Sequence, residues 1–133
     1  MRTNTITRST NETQINLTIT LDGIGSSDIN SGNGFLDHLL KSFATHSLFD
    51  LQLHATGDLR HHIVEDIAIC LGTALREALT GGIGITRFGY ALVPMDDSLA
   101  LAALDLVKRP YVKLNLKLEG DTIEDLPTED ILH

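Results

Sequence analysis

With 133 residues, 42% of them hydrophobic, the chain has the length of one domain and enough apolar content for a real core. A net charge of −8 leaves no basic stripe to displace counterions from nucleic acid or an anionic membrane, and a lone cysteine, Cys70, can form no internal disulfide. Met1–Ile6 has no apolar core of signal-peptide length and no run reaches membrane-spanning length, so a soluble cytoplasmic protein is expected.

In chain order, Thr5 to Ser9 reads as a first strand. Gln14 to Leu21 alternates cleanly, with Ile15, Leu17, Ile19 and Leu21 on one face, and reads as a half-buried strand. Asp22 to Gly34, rich in Gly, Ser, Asn and Asp, is expected to be a loop. Phe35 to His46 keeps helical spacing through Phe35, Leu36, Leu39, Leu40 and Phe43. His38 and His46 on this helix are separated by about 80 degrees of rotation, so both can edge one flank. Asp50 to Ala55 alternates again, with Leu51, Leu53 and Ala55 inward and His54 outward without a role. A helix is expected from His62 to about Leu79, stopped by Gly81-Gly82, with Cys70 as a small buried hydrophobe in its apolar stripe. Gly81, Gly82 and Gly84 are turn chemistry, because no Lys-Ser/Thr follows them as a phosphate loop requires.

Three further strands are expected at 87–93, 98–107 and 111–118, with Asp96-Asp97 as a turn, and Pro127-Thr128-Glu129-Asp130 reads as a helix start. The apolar helix starts at Phe35-Leu36-Asp37-His38 and Asp130-Ile131-Leu132-His133 echo each other. The expected fold is therefore α+β: a duplicated β-β-α-β-α-type unit with helices on one face of a mostly antiparallel sheet, its second copy incomplete. The division falls into 1–84 as the first repeat and 85–133 as a partial second one.

The chemistry concentrates at His61-His62-Ile63-Val64-Glu65-Asp66. On a helix, His61 and His62 share a face with Glu65, giving two imidazoles and a carboxylate that suit Zn, Mn, Fe or Ni. The plain alternative is a polar first turn without a metal, with Asp37 and Asp66 serving only to stabilise helix N-termini. Asp37 can also orient His38. A metallohydrolase using the same face is disfavoured by the absence of His-Glu-x-x-His.

Taken together, Arg8-Ser9-Thr10-Asn11-Glu12-Thr13, Gly34-Phe35-Leu36-Asp37-His38, His46, Phe49-Asp50-Leu51, Gly57-Asp58-Leu59, His61-His62-x-x-Glu65-Asp66, Leu71-Gly72-x-Ala74-Leu75, Arg87-Phe88-Gly89, Pro94-Met95-Asp96 and Arg109-Pro110 resemble imidazoleglycerol-phosphate dehydratases, in family order. The resemblance implies a lyase of histidine biosynthesis that dehydrates imidazole glycerol phosphate to imidazole acetol phosphate, with Mn(II) stabilising an imidazolate. It implies His38, His61, His62, Glu65 and His133 as metal ligands, two metals per complete site, and Glu12 and His46 as substrate contacts alongside His38. It further implies Arg87 and Arg109 as phosphate holders, Glu12 or Glu65 as the base, and a homo-oligomer, a 24-mer in the family, whose sites draw ligands from neighbouring subunits. Family members carry a second His-His-x-x-Glu helix that these residues lack. A metal-binding or assembly module without turnover is thus the alternative expectation. Two departures stand out: only Arg60 separates Gly57-Asp58-Leu59 from the histidine pair, and Val107-Lys108 precedes Arg109-Pro110 where Ser-Gly is usual.

Overall fold

A computed structural model describes residues 1–132. Its organising element is a four-stranded sheet made of β1 (Thr3–Ser9), β2 (Thr13–Thr20), β3 (Ser27–Asn30) and β4 (Asp50–Gly57), in the order β1-β2-β4-β3. β1 pairs with β2 and β2 with β4 antiparallel, whereas β3 runs parallel to β4. The parallel strand corrects the expectation of a loop from Asp22 to Gly34. Ser-Asp-Ile-Asn carries one apolar residue, too few for periodicity to register, and its place comes from pairing with β4 and from burial of Ile29.

The alternation in β2 and β4 segregates the sheet's faces. Ile15, Leu17, Ile19, Leu51, Leu53 and Ala55 are buried on the inner face. The outer face is polar, with Thr3, Thr5, Thr7 and Ser9 set against Thr20, Thr18, Asn16 and Gln14. Hydroxyl pairs Thr3–Thr20 and Thr5–Thr18, 2.9 and 2.8 Å apart, stitch that surface across the strands.

Two helices cover the inner face. α1 (Gly34–Ser47) begins where the Asn33 side chain accepts the Leu36 N–H at 2.7 Å, and ends at Leu48 in the left-handed region. It buries Leu40 and Ala44, while Leu39 and Phe43 stay exposed at 40% and 37%, so its apolar stripe is wider than the sheet it covers. α2 (Arg60–Ala78) buries Val64, Ile67, Cys70, Ala74 and Ala78, its alanines letting the helix backbone lie close on the strands. A single 3₁₀ turn at Thr80–Gly82 follows, with Gly81 at φ 79°. The helix begins two residues earlier than expected. Glu65 consequently sits beyond the first turn, which holds no acid, and gains less from the helix dipole than its sequence position implied.

β5 (Phe88–Met95) and β6 (Ser98–Asp105) form an antiparallel hairpin turned at Asp96-Asp97, so the strand expected over 98–107 is formed despite its alanines and leucines, ending at Asp105. Both faces of this hairpin are exposed. The strand expected over 111–118 is not formed, because its alternating Val112, Leu114 and Leu116 have no strand to pair with among the described residues and remain exposed. The chain then returns as β7 (Thr122–Ile123), β8 (Leu126–Pro127) and α3 (Thr128–Leu132), the last confirming the helix start at Pro127. Leu126, 1% exposed, anchors this return. The fold is α+β, with helices on one face of a mostly antiparallel sheet. No helix among the described residues is long and apolar enough to cross a membrane.

Candidate functional site

The link from β4 to α2 is only Asp58 and Leu59, and this tightness arranges the candidate site. The Asp58 N–H donates to the Glu12 carbonyl at 3.0 Å, holding the β1–β2 turn against the start of α2. No side chain caps Leu59 at the helix start. Gly57 admits nothing larger, since a Cβ there would lie 2.8 Å from the Glu12 carbonyl oxygen and 2.8 Å from the Ile63 side chain.

His61 is exposed and His62 half-buried, their ring centroids 4.1 Å apart and edge to face. His62 Nδ1 lies 2.9 Å from Asp58 Oδ1 and 3.9 Å from Glu12 Oε2. The hydrogen bond to Asp58, reinforced by the charges of Glu12, Asp58 and Glu65, raises the His62 pKa against partial desolvation. The same bond lowers that of Asp58. Glu65 is exposed one turn further along α2. On α1, His38 is exposed and stacks on Phe35, ring centroids 6.4 Å apart, and His46 is exposed in the last turn. His54 faces out and lies 3.4 Å from Asp28. His133 lies outside the described residues.

The structure thus brings Glu12 to His62 and His61 to His62. Among the described residues, however, no three His, Cys, Asp or Glu side chains converge closely enough to hold a metal ion. The donors are of the right kind for a divalent transition metal, imidazole nitrogen and carboxylate oxygen, and they are accessible.

The arginines gather elsewhere. Arg87, just before β5, makes a two-pronged contact with Asp105 at the end of β6, Nε to Oδ1 at 2.5 Å and Nη2 to Oδ2 at 2.9 Å. Its guanidinium carbon stands 5.0 Å from the Phe88 ring centroid. Asp105, its pKa lowered first by the Arg87 hydrogen bond, also feels the charge of Arg109. Arg109 lines a cleft with Leu104, Asp105 and Tyr111. Both arginines therefore border one carboxylate at the open end of the hairpin.

Sequence reasoning missed the acids that hold these elements. Asp66, 8% exposed, accepts a short hydrogen bond from the Thr13 hydroxyl and lies 2.9 Å from Arg8 Nε. It is a buried tie between α2 and both β1 and β2, more than a helix-end charge. The signal was available: Asp66 falls four residues before Cys70 on the apolar stripe, and Arg8 and Thr13 are in phase with inward Ile6 and Ile15. Asp37 accepts from the Ser31 N–H at 2.9 Å and hydroxyl at 2.5 Å, so it fixes the loop before α1 and makes no bond to His38. Asp125 accepts from the Gly34 and Phe35 N–H groups at 2.7 and 2.9 Å, which lowers its pKa.

Residues 31–133 match the imidazoleglycerol-phosphate dehydratase family. The imidazoleglycerol-phosphate dehydratase of Methanothermobacter thermautotrophicus is 49% identical over 136 residues, covering 100% of this chain and 70% of that protein. That of Pelotomaculum thermopropionicum is 47% identical, covering 96% and 67%. The crystal structure of the Staphylococcus aureus enzyme superposes with a TM-score of 0.86 at 35% identity, covering 98% of this chain and 72% of that one. The Pyrococcus furiosus structure, in complex with (S)-C348, gives 0.80 at 38%, covering 96% and 68%. Fold and sequence together place the chain among α+β hydro-lyases. It belongs to the imidazoleglycerol-phosphate dehydratase family of histidine biosynthesis, and spans about 70% of the length of the first of these relatives.

Proposed function

We propose that this chain acts in the cytoplasm in the dehydration of imidazole glycerol phosphate to imidazole acetol phosphate, with Mn(II) as cofactor, two ions per complete site. The observation that carries the reading is the His61-His62 pair at the head of α2, with Glu65 one turn on and Glu12 3.9 Å from His62. His38, His61, His62, Glu65 and His133 would hold the metal, which when bound acidifies the substrate's ring N–H and so eases departure of the neighbouring hydroxyl. The residues of the chain do the rest. Glu12 or Glu65 takes the carbon-bound proton, a role whose removal typically costs about 10² to 10⁴ in rate. His46 contacts the substrate, and Arg87 and Arg109 hold its phosphate away from the reacting carbons, contributing by orientation. Arg87 exchanges Asp105 for phosphate when it does so.

In this reading residues 1–84 form one unit and 85–133 part of a second, and ligands are completed between copies in a homo-oligomer, a 24-mer as expected from the family. That arrangement is supported by donors that, among the described residues, are accessible and do not converge. The same observation favours one second reading, a metal-binding or assembly module without turnover. The test is to incubate the chain with imidazole glycerol phosphate with and without Mn(II) and follow loss of one water by mass. Mn(II)-dependent conversion abolished by Glu65→Gln supports the enzyme. Mn(II) binding with a large assembly and no conversion supports the module.

A further inference from the structure

Asp125 stands where three elements meet. Its carboxylate receives the N–H groups of Gly34 and Phe35 at the start of α1, the helix that carries His38. Its carbonyl receives the Asn33 side-chain amide at 2.8 Å and Arg60 Nη1 from the first residue of α2. Arg60 directly precedes His61-His62. On the other side, Leu126 is buried, and the backbone continues through β8 into α3 and on to His133. Glu124, at φ 53°, turns the chain so that Asp125 faces the helix ends.

We propose that Asp125 and Arg60 form a positioning latch that sets the spacing between the His38 helix, the His61-His62 helix and the segment leading to His133. The latch rests on the metal-site reading above for its purpose, and on these hydrogen bonds for its existence. Arg60 is the single residue between Gly57-Asp58-Leu59 and the histidine pair, so the short link puts a cation where it can reach across to the returning chain. Neither residue touches metal or substrate in this scheme; both act through the elements they join.

The test compares Asp125→Ala, Arg60→Ala and Arg60→Lys with Leu53→Ala, a core substitution in β4 remote from the latch. Mn(II) affinity is read by electron paramagnetic resonance of the free ion, and amide hydrogen exchange is read along the chain. Asp125→Ala and Arg60→Ala are expected to weaken Mn(II) binding about 10-fold or more, the range found when partners that orient ligands are removed. Arg60→Lys, which keeps a donor for the carbonyl, is expected to recover most of it. Asp125→Ala, which removes the carboxylate and keeps the carbonyl, should also speed exchange jointly at Gly34–Phe35 and in 122–132, and Arg60→Ala jointly at the first turn of α2 and in 122–132. Affinity losses no larger than that of Leu53→Ala, or faster exchange confined to Gly34–Phe35, overturn the latch. Should the unsubstituted chain bind no Mn(II), the metal reading fails, and exchange decides the latch by the same joint or confined pattern.

Discussion

Replacing Asp66 by Ala tests whether the buried tie under α2 holds the helix to the sheet. Asp66 is 8% exposed, and its carboxylate accepts the Thr13 hydroxyl and forms an ion pair with Arg8 Nε at 2.9 Å. A hydrogen bond to a charged group, as from Thr13, contributes about 1.5–3 kcal/mol, and removing one member of a buried ion pair costs about 3–5 kcal/mol. Arg8 has a side chain 40% exposed and can recover water, which pulls the expectation below the buried-pair figure. The loss should be about 2–3 kcal/mol for Asp66→Ala, and about half that for Asp66→Asn, which keeps an acceptor for Thr13. Urea unfolding followed by circular dichroism measures it, and a cycle with Arg8→Ala should return a coupling of about 1 kcal/mol. An Asp66→Ala variant within about 0.5 kcal/mol of the parent, the range of an ordinary surface change, would refute the tie.

Four other outcomes are expected. Leu53→Ala, at a site with no solvent exposure, should cost about 2–5 kcal/mol in the same assay. Gly57→Ala should cost about 1–3 kcal/mol, since its Cβ would press on the Glu12 carbonyl and Ile63, and an unchanged melting midpoint would show that the link has slack. Asp22, hydrogen-bonded to Arg2, has its carboxyl lowered to about 2. Because that folded value lies below the ordinary one near 3.8, the contact stabilises above about pH 4 and is lost as pH falls toward about 2. Carboxyl NMR should show its titration there, and in Arg2→Ala the midpoint should move back up. Cys70, 1% exposed and with its thiol pushed up by burial, should resist a thiol reagent until the chain unfolds, and rapid labelling of the native protein would contradict the packing of α2.

Legibility in the sequence followed the length of each periodic signal. β2, β4 and the two long helices were readable because six or more residues repeated one pattern, and the inward residues of the two strands are those the alternation selected. β3 was not, since four residues with a single apolar side chain carry no period, and its strand is made by β4 next to it. The 111–118 segment failed in the opposite sense: its alternation is real, but a strand also needs a neighbour. At the site, residue types and spacing pointed to His61, His62 and Glu65, yet the ties of Asp105 and Asp125 join residues 18 to 92 positions apart, which no local pattern encodes.

The β5–β6 hairpin has a practical consequence for solubility. Tyr90, Leu92, Leu99, Leu101 and Leu104 are 60% exposed or more, and the run from Ser98 to Leu104 is apolar, uncharged and free of proline. Such a segment, carrying unpaired strand edges, is a template for intermolecular β pairing, with Pro94 and the Arg87–Asp105 pair as its gatekeepers at either end. Its exposed apolar side chains and free strand edges are features that another strand or sheet can cover, whereas the hydroxyl-rich outer face of the main sheet carries groups that water satisfies.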